Sequence, residues 1–241
     1  MLQSFETTET TGMGAMGTIG KKTAVAISVT AALLTAAACG DEKETPSSKP
    51  WSRDRLSSAV LVPGDVPGYK IRVESGADSK GLARSDKKSC QPIVNAMDPK
   101  DSAHDKRFVV RRLVKDLEDS QKPMADYLLV LSSVESQSAA EQTVKDLKKA
   151  ISACGSGFKV GSSGLMSKIR RVTAQKSSLG NEGVEFSVEY QSRIKRRYVV
   201  TQQGASLATI LAQHASLLRF ASVPWQIVDA QRQKLEKAAA K

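Results

Sequence analysis

Residues 184–200, VEFSVEYQSRIKRRYVV, decide the fold. Val184, Phe186, Val188 and Tyr190 alternate with Glu185, Ser187 and Glu189, the period-two pattern of a strand with one buried and one wet face. A three-residue loop, Gln191 to Arg193, returns the chain into a second strand. In that register Tyr198 stands opposite Phe186, Val200 opposite Val184, and Lys195 opposite Glu189 as a favourable cross-strand charge pair. Arg196 is the mismatch, because it falls opposite Val188. Downstream, Gln202-Gln203-Gly204 turns the chain into a further strand, SLATILAQ. Upstream, IRRVTAQ leads through residues 179–183 into the first strand, so the last third is a series of antiparallel strands.

Working outward, residues 139–153 predict a helix. Ala140, Val144, Leu147, Ile151 and Cys154 trace one face at intervals of four and three, with Lys145, Asp146, Lys148 and Lys149 on the other. Ser138 and Glu141 have capping-box spacing, and Gly155 can end the helix. Residues 107–117 fit both periods; they are assigned to a strand because ADYLLVLSSV follows as one and SQKP connects the two. Residues 53–62 predict a short helix stopped by Pro63-Gly64, Tyr69, Ile71 and Val73 a strand, and the segment from Cys90 another short helix. Pro224 opens a final helix through Lys241 with Trp225, Val228 and Leu235 on its inner face.

The other end of the chain fixes an address. Residues 21–40, KKTAVAISVTAALLTAAACG, place two lysines before an apolar run too short for the ~20 residues of a membrane span, as in a signal peptide. Ala36-Ala37-Ala38-Cys39, with Leu33-Leu34 upstream and Gly40-Asp41 after, resembles the lipobox of bacterial lipoproteins. That resemblance implies a diacylglyceryl group on Cys39, which becomes the mature N-terminus. The expected organisation is a signal peptide over 1–38, a lipidated tether over 39–50 and an extracytoplasmic α+β domain over 51–241, in which helices pack against an antiparallel sheet. The tether is polar and could extend roughly 40 Å. Residues 1–20 carry no lysine or arginine, so Met13 and Met16 are alternative starts.

The formal charge is +11, and the leader contributes none of it, since Lys21 and Lys22 offset Glu6 and Glu9. Outside a cytoplasmic membrane the matching anions are lipid headgroups and wall polymers; export argues against nucleic acid. A solvated basic surface accounts for the charge equally well. With Cys39 lipidated, Cys90 and Cys154 form an even remainder, which in an exported chain predicts a disulfide. Two cysteines and two histidines, His104 and His214, supply no zinc-site spacing, so neither a metal nor a cofactor is expected.

No catalytic motif emerges. GAMGTIGKKT in the leader has Ala15 and Lys22 where a phosphate loop needs Gly and Ser or Thr, and Ser162 lies outside any nucleophile elbow. Two basic runs stand out: Lys168, Arg170, Arg171 and Lys176, then Arg193, Lys195, Arg196 and Arg197. On neighbouring strands, Arg170, Arg171, Arg196 and Arg197 would form an anion-binding face with bidentate donors. The rival is a sheet face whose long side chains cover apolar surface and stay in water.

The segments VLVPGDVPGY, the helix from Ala139-Ala140 to Cys154, LGNEGVEF, YVVTQQGASLATI and VPWQIVDAQRQKL together resemble the extracellular sensor domain of PknH-type mycobacterial kinases and related actinobacterial lipoproteins. The resemblance spans most of residues 53–235. It implies a bent antiparallel sheet, helices against it, and a central cleft for a ligand. The chain departs in offering one disulfide where the kinase domain has two, and Gln202-Gln203-Gly204 where an arginine often precedes the glycine. The resulting expectation is a non-catalytic, monomeric binding or sensor-like lipoprotein on the outer membrane face, recognising an anionic envelope lipid, polymer or a protein. The alternative is an envelope hydrolase acting on lipid or wall polymer.

Overall fold

In the computed structural model the described residues are 49–74, 83–102, 107–117, 124–162 and 165–240. The expected signal peptide, Cys39, His104 and all but the end of the tether lie outside them. The elements in chain order are α1 (Arg53–Ala59), β1 (Tyr69–Val73), β2 (Arg84–Ser85), α2 (Gln91–Met97), α3 (Pro99–Ser102), β3 (Phe108–Lys115), β4 (Ala125–Ser133), α4 (Gln137–Ala153), β5 (Phe158–Ser162), β6 (Leu165–Ala174), β7 (Gly183–Tyr190), β8 (Lys195–Gln203), β9 (Ser206–His214) and α5 (Trp225–Ala239). The strands join in one antiparallel sheet ordered β1-β3-β4-β9-β8-β7-β6-β5-β2. The fold is a single α+β domain.

The β7–β8 hairpin has the register its alternation dictates, with Phe186 opposite Tyr198, Val184 opposite Val200, Glu189 opposite Lys195 and Val188 opposite Arg196. The Phe186 and Tyr198 rings stack at 5.1 Å. Arg193 closes the three-residue loop in the left-handed region at φ 66°, the position that bends such a loop back into the ladder. Gly204 does the same for the next turn at φ 54°.

Side chains on the two faces of the sheet feed two separate cores. On one face Leu113, Leu129, Leu131, Val199 and Ile210 pack under α1 and α5, together with Trp51, Leu56, Ile227 and Leu235. On the other, Ile169, Val172, Phe186, Val188, Tyr198 and Val200 pack under α2 and α4, with Ile93, Val144, Leu147 and Ile151. Central β9 is buried on both faces along most of its length, which is why the apolar residues of SLATILAQ do not alternate whereas those of VEFSVEY do. Trp51 opens the domain: it is buried, and its backbone N–H donates to Ser133 Oγ at 2.8 Å.

Several boundaries differ from the sequence expectation. The α4 cap is Ser136, whose Oγ accepts from the Ala139 N–H at 3.1 Å, and Ser138 bonds to that hydroxyl. The chain turns after α4 at Gly157, not Gly155: its φ is +89° and a Cβ there would lie 2.2 Å from the Ile169 carbonyl oxygen. The helix expected over 53–62 stops at Ala59, because Val60 is already extended. β2 and β5 were not expected; two and five residues are too few to display a period. Trp225 is 42% exposed. The buried stripe of α5 runs Ile227, Gln231, Leu235 at intervals of four, with Val228 beside it, and this turns Trp225 outward.

Candidate functional site

Cys90 and Cys154 are bonded, with Cα atoms 5.9 Å apart. The bond ties the single-turn segment Lys88–Cys90, just ahead of α2, to the end of α4, and both residues are buried in the core on that face. Its role is structural.

The four arginines do not make one face. The sheet order places β7 between β6 and β8, so the two basic runs are not neighbours. Within β8, successive residues point to opposite sides: Arg196 shares the row of Val188 and Val172, and Arg197 that of Ser187 and Thr173. A register shift between Ile169 and Arg171 interrupts the β6–β7 ladder. Arg170 then pairs with Glu189 at 3.4 Å, and Arg197 with Glu185 at 3.4 Å. Arg171 is exposed.

Arg196 stands apart from the other three. Among the described residues no carboxylate pairs with it, and its guanidinium lies 5.5 Å from the Tyr190 ring centroid. Its Nε and the Tyr198 hydroxyl are both buried, and neither has a partner in hydrogen-bonding geometry. Burial penalises the charge, and the nearby Tyr198 and Tyr190 phenols more than offset that, holding the Arg196 pKa above its ordinary value. The Tyr198 and Tyr190 phenols are pushed up, in each case chiefly by burial. A pocket of about 330 Å³ opens here, lined by Ser167, Lys168, Tyr190, Gln191, Ser192, Ile194 and Arg196. Two cations and four neutral polar side chains thus converge on a space of headgroup size. A half-buried guanidinium without a carboxylate is the chemistry of an anion receptor.

A second pocket of about 480 Å³ lies between α1 and α5, lined by Arg55, Ser58, Lys234, Lys237 and Ala238. Its cations are largely engaged. Arg55 donates to the Ala238 carbonyl at 2.9 Å and stacks 4.3 Å from the Trp51 ring, and Lys234 pairs with Asp65 at 2.6 Å.

His214 Nδ1 accepts from the Ser216 N–H at 2.9 Å, a turn cap after β9. Among the described residues no group of three or more His, Cys, Asp or Glu could hold a metal ion, and no helix is long and apolar enough to cross a membrane. Sequence reasoning marked Lys168 and Arg196 as basic but not as partners. The visible signal was Arg196 itself, an arginine in a row of apolar residues.

No family model matches the chain, and no curated protein does. Among solved structures it is similar to the extracellular domain of PknH from Mycobacterium tuberculosis, at 10% identity and a TM-score of 0.48, over 81% of this chain and 100% of that one.

Proposed function

We propose that the protein is a lipoprotein anchored through Cys39 on the extracytoplasmic face of the membrane, whose domain binds an anionic envelope ligand without transforming it. The Arg196 pocket carries this reading, because Arg196 and Lys168 supply charge, Ser167 and Ser192 supply hydroxyls, and no carboxylate lines the space. The signal-peptide pattern and the lipobox supply the location. The disulfide fits an oxidising compartment.

Pyrophosphate is a suitable probe for titration calorimetry. Arg196→Gln combined with Lys168→Gln should abolish its binding, whereas Arg170→Gln with Arg171→Gln, which removes the same charge outside the pocket, should leave it within twofold. Equal losses in the two variants would reduce the pocket to general attraction, which salt screens over about 8 Å at physiological ionic strength. The anchor is tested separately: labelling with a fatty-acid analogue should disappear in Cys39→Ala, and retained label would refute acylation there.

A further inference from the structure

The segment after β9, residues 215–224, carries apolar side chains that the cores do not absorb. Leu217, Leu218 and Phe220 are 39%, 55% and 37% exposed, and Met124, whose carbonyl accepts from the Ala215 N–H at 2.7 Å, is 66% exposed. The segment is held to the start of β8, where the Lys195 N–H donates to the Leu217 carbonyl at 2.7 Å. Basic groups surround it. Lys195 Nζ and the Arg197 guanidinium lie 5.3 and 5.9 Å from the Phe220 ring centroid, Arg219 is in the segment, and Arg193 is on the adjoining hairpin.

We infer that this end of the sheet docks on an anionic lipid surface, with Leu217, Leu218, Phe220 and Met124 entering the interface and Arg193, Lys195 and Arg219 meeting headgroups, while Arg197 stays paired with Glu185. Charge complementarity selects the occupant: an apolar tip ringed by Lys and Arg is the composition that binds anionic bilayers through buried apolar area plus electrostatic attraction. Lys and Arg stems also lie along apolar surface while their heads reach outward to phosphate. The basic cluster between α1 and α5 lacks such apolar side chains.

The geometry suits a tethered chain as well. Met124 and Trp51 mark opposite ends of β4, nine residues or about 30 Å apart, since Trp51 is bound to Ser133. A tether of roughly 40 Å attached at Trp51 is long enough for the far end of the sheet to touch the same membrane. The docking does not depend on acylation, because the patch belongs to the folded domain.

Depth-dependent quenching tests this on the full chain carrying Cys39→Ala, so that the leader is common to every arm. Leu218→Trp places a reporter on the patch. Val73→Trp places one on β1, at a site 76% exposed and four strands from β8. With vesicles of phosphatidylglycerol bearing brominated acyl chains, the Leu218→Trp chain should lose at least a third more emission than the parent, and the Val73→Trp chain no more than the parent. Brominated phosphatidylcholine should quench neither reporter beyond the parent, and Arg219→Glu should at least halve the Leu218→Trp signal. Absence of extra quenching at position 218, or equal quenching at 218 and 73, overturns the inference; a surface built for a protein partner would give the first of these results.

Discussion

The core under α2 and α4 is closed by a covalent bond between Cys90 and Cys154, whereas the core under α1 and α5 is closed only by side chains joining the two ends of the domain. Gln231 of α5 is 1% exposed; its Nε2 donates to the Ala59 carbonyl at 2.9 Å, and its Oε1 accepts from the Leu61 N–H at 3.2 Å. Lys234, one turn on, reaches Asp65, whose carboxylate also accepts from the Val62 N–H at 2.7 Å. A disulfide acts mainly by restricting the unfolded chain, and buried hydrogen bonds act on the folded one. The two halves should therefore respond to different insults.

The largest effect is expected for the covalent side. Cys90→Ala with Cys154→Ala should lower stability by about 4 kcal/mol, the chain-entropy figure for so long a ring, with reduction of the parent giving the same loss. Denaturant unfolding with and without reductant checks it; a reductant effect that persists in the double variant would detach the loss from this bond. The clasp should be weaker but close behind. Gln231→Leu keeps the volume and leaves the Ala59 carbonyl and Leu61 N–H without their partner, a loss of about 2 kcal/mol. That loss should be the same in the reduced and oxidised protein, because the two cores lie on opposite faces.

The smallest effect is a pH response confined to the clasp. Burial raises the Asp65 pKa, but the Lys234 hydrogen bond, the Val62 N–H and the Lys234 and Lys237 charges outweigh it, so the folded value lies below the ordinary one. A depressed carboxyl contributes stability above its unfolded pKa and loses it as pH falls through the folded value. Asp65→Asn should accordingly lower the melting temperature by a few degrees at pH 7, with the gap to the parent closing toward pH 3. A gap that stays constant across that range would show that packing, not charge, is what the residue contributes.

Hairpins were legible wherever alternation ran for seven residues or more, and the β7–β8 register followed from it directly. What escaped was whatever depended on short elements or on irregularity. β2 and β5 are too short for a period, and Trp225 was misplaced because two stripes, one through Trp225 and Val228 and one through Ile227 and Gln231, share one helix. The candidate site was half legible. Arg196 showed as a charge on a buried row, but the meander that separates the two basic runs and the ladder interruption beside Ile169 removed Arg170 and Arg171 from it, and the alternation of β8 turned Arg197 to the other face. Only the folded chain brings Lys168 to the same pocket, since its strand begins four residues before the alternation was recognised.

The Gln231 contacts also impose an order on synthesis. The first core combines residues 51–71 with residues 227–235, so the earliest part of the domain to leave the ribosome waits for the last. Until α5 arrives, Leu56, Leu61 and Ile71 lack their apolar cover, and two backbone groups near α1 lack the amide that satisfies them. The first core therefore cannot close before α5 exists, whereas the second draws its buried residues from 90–207 and has all of them earlier.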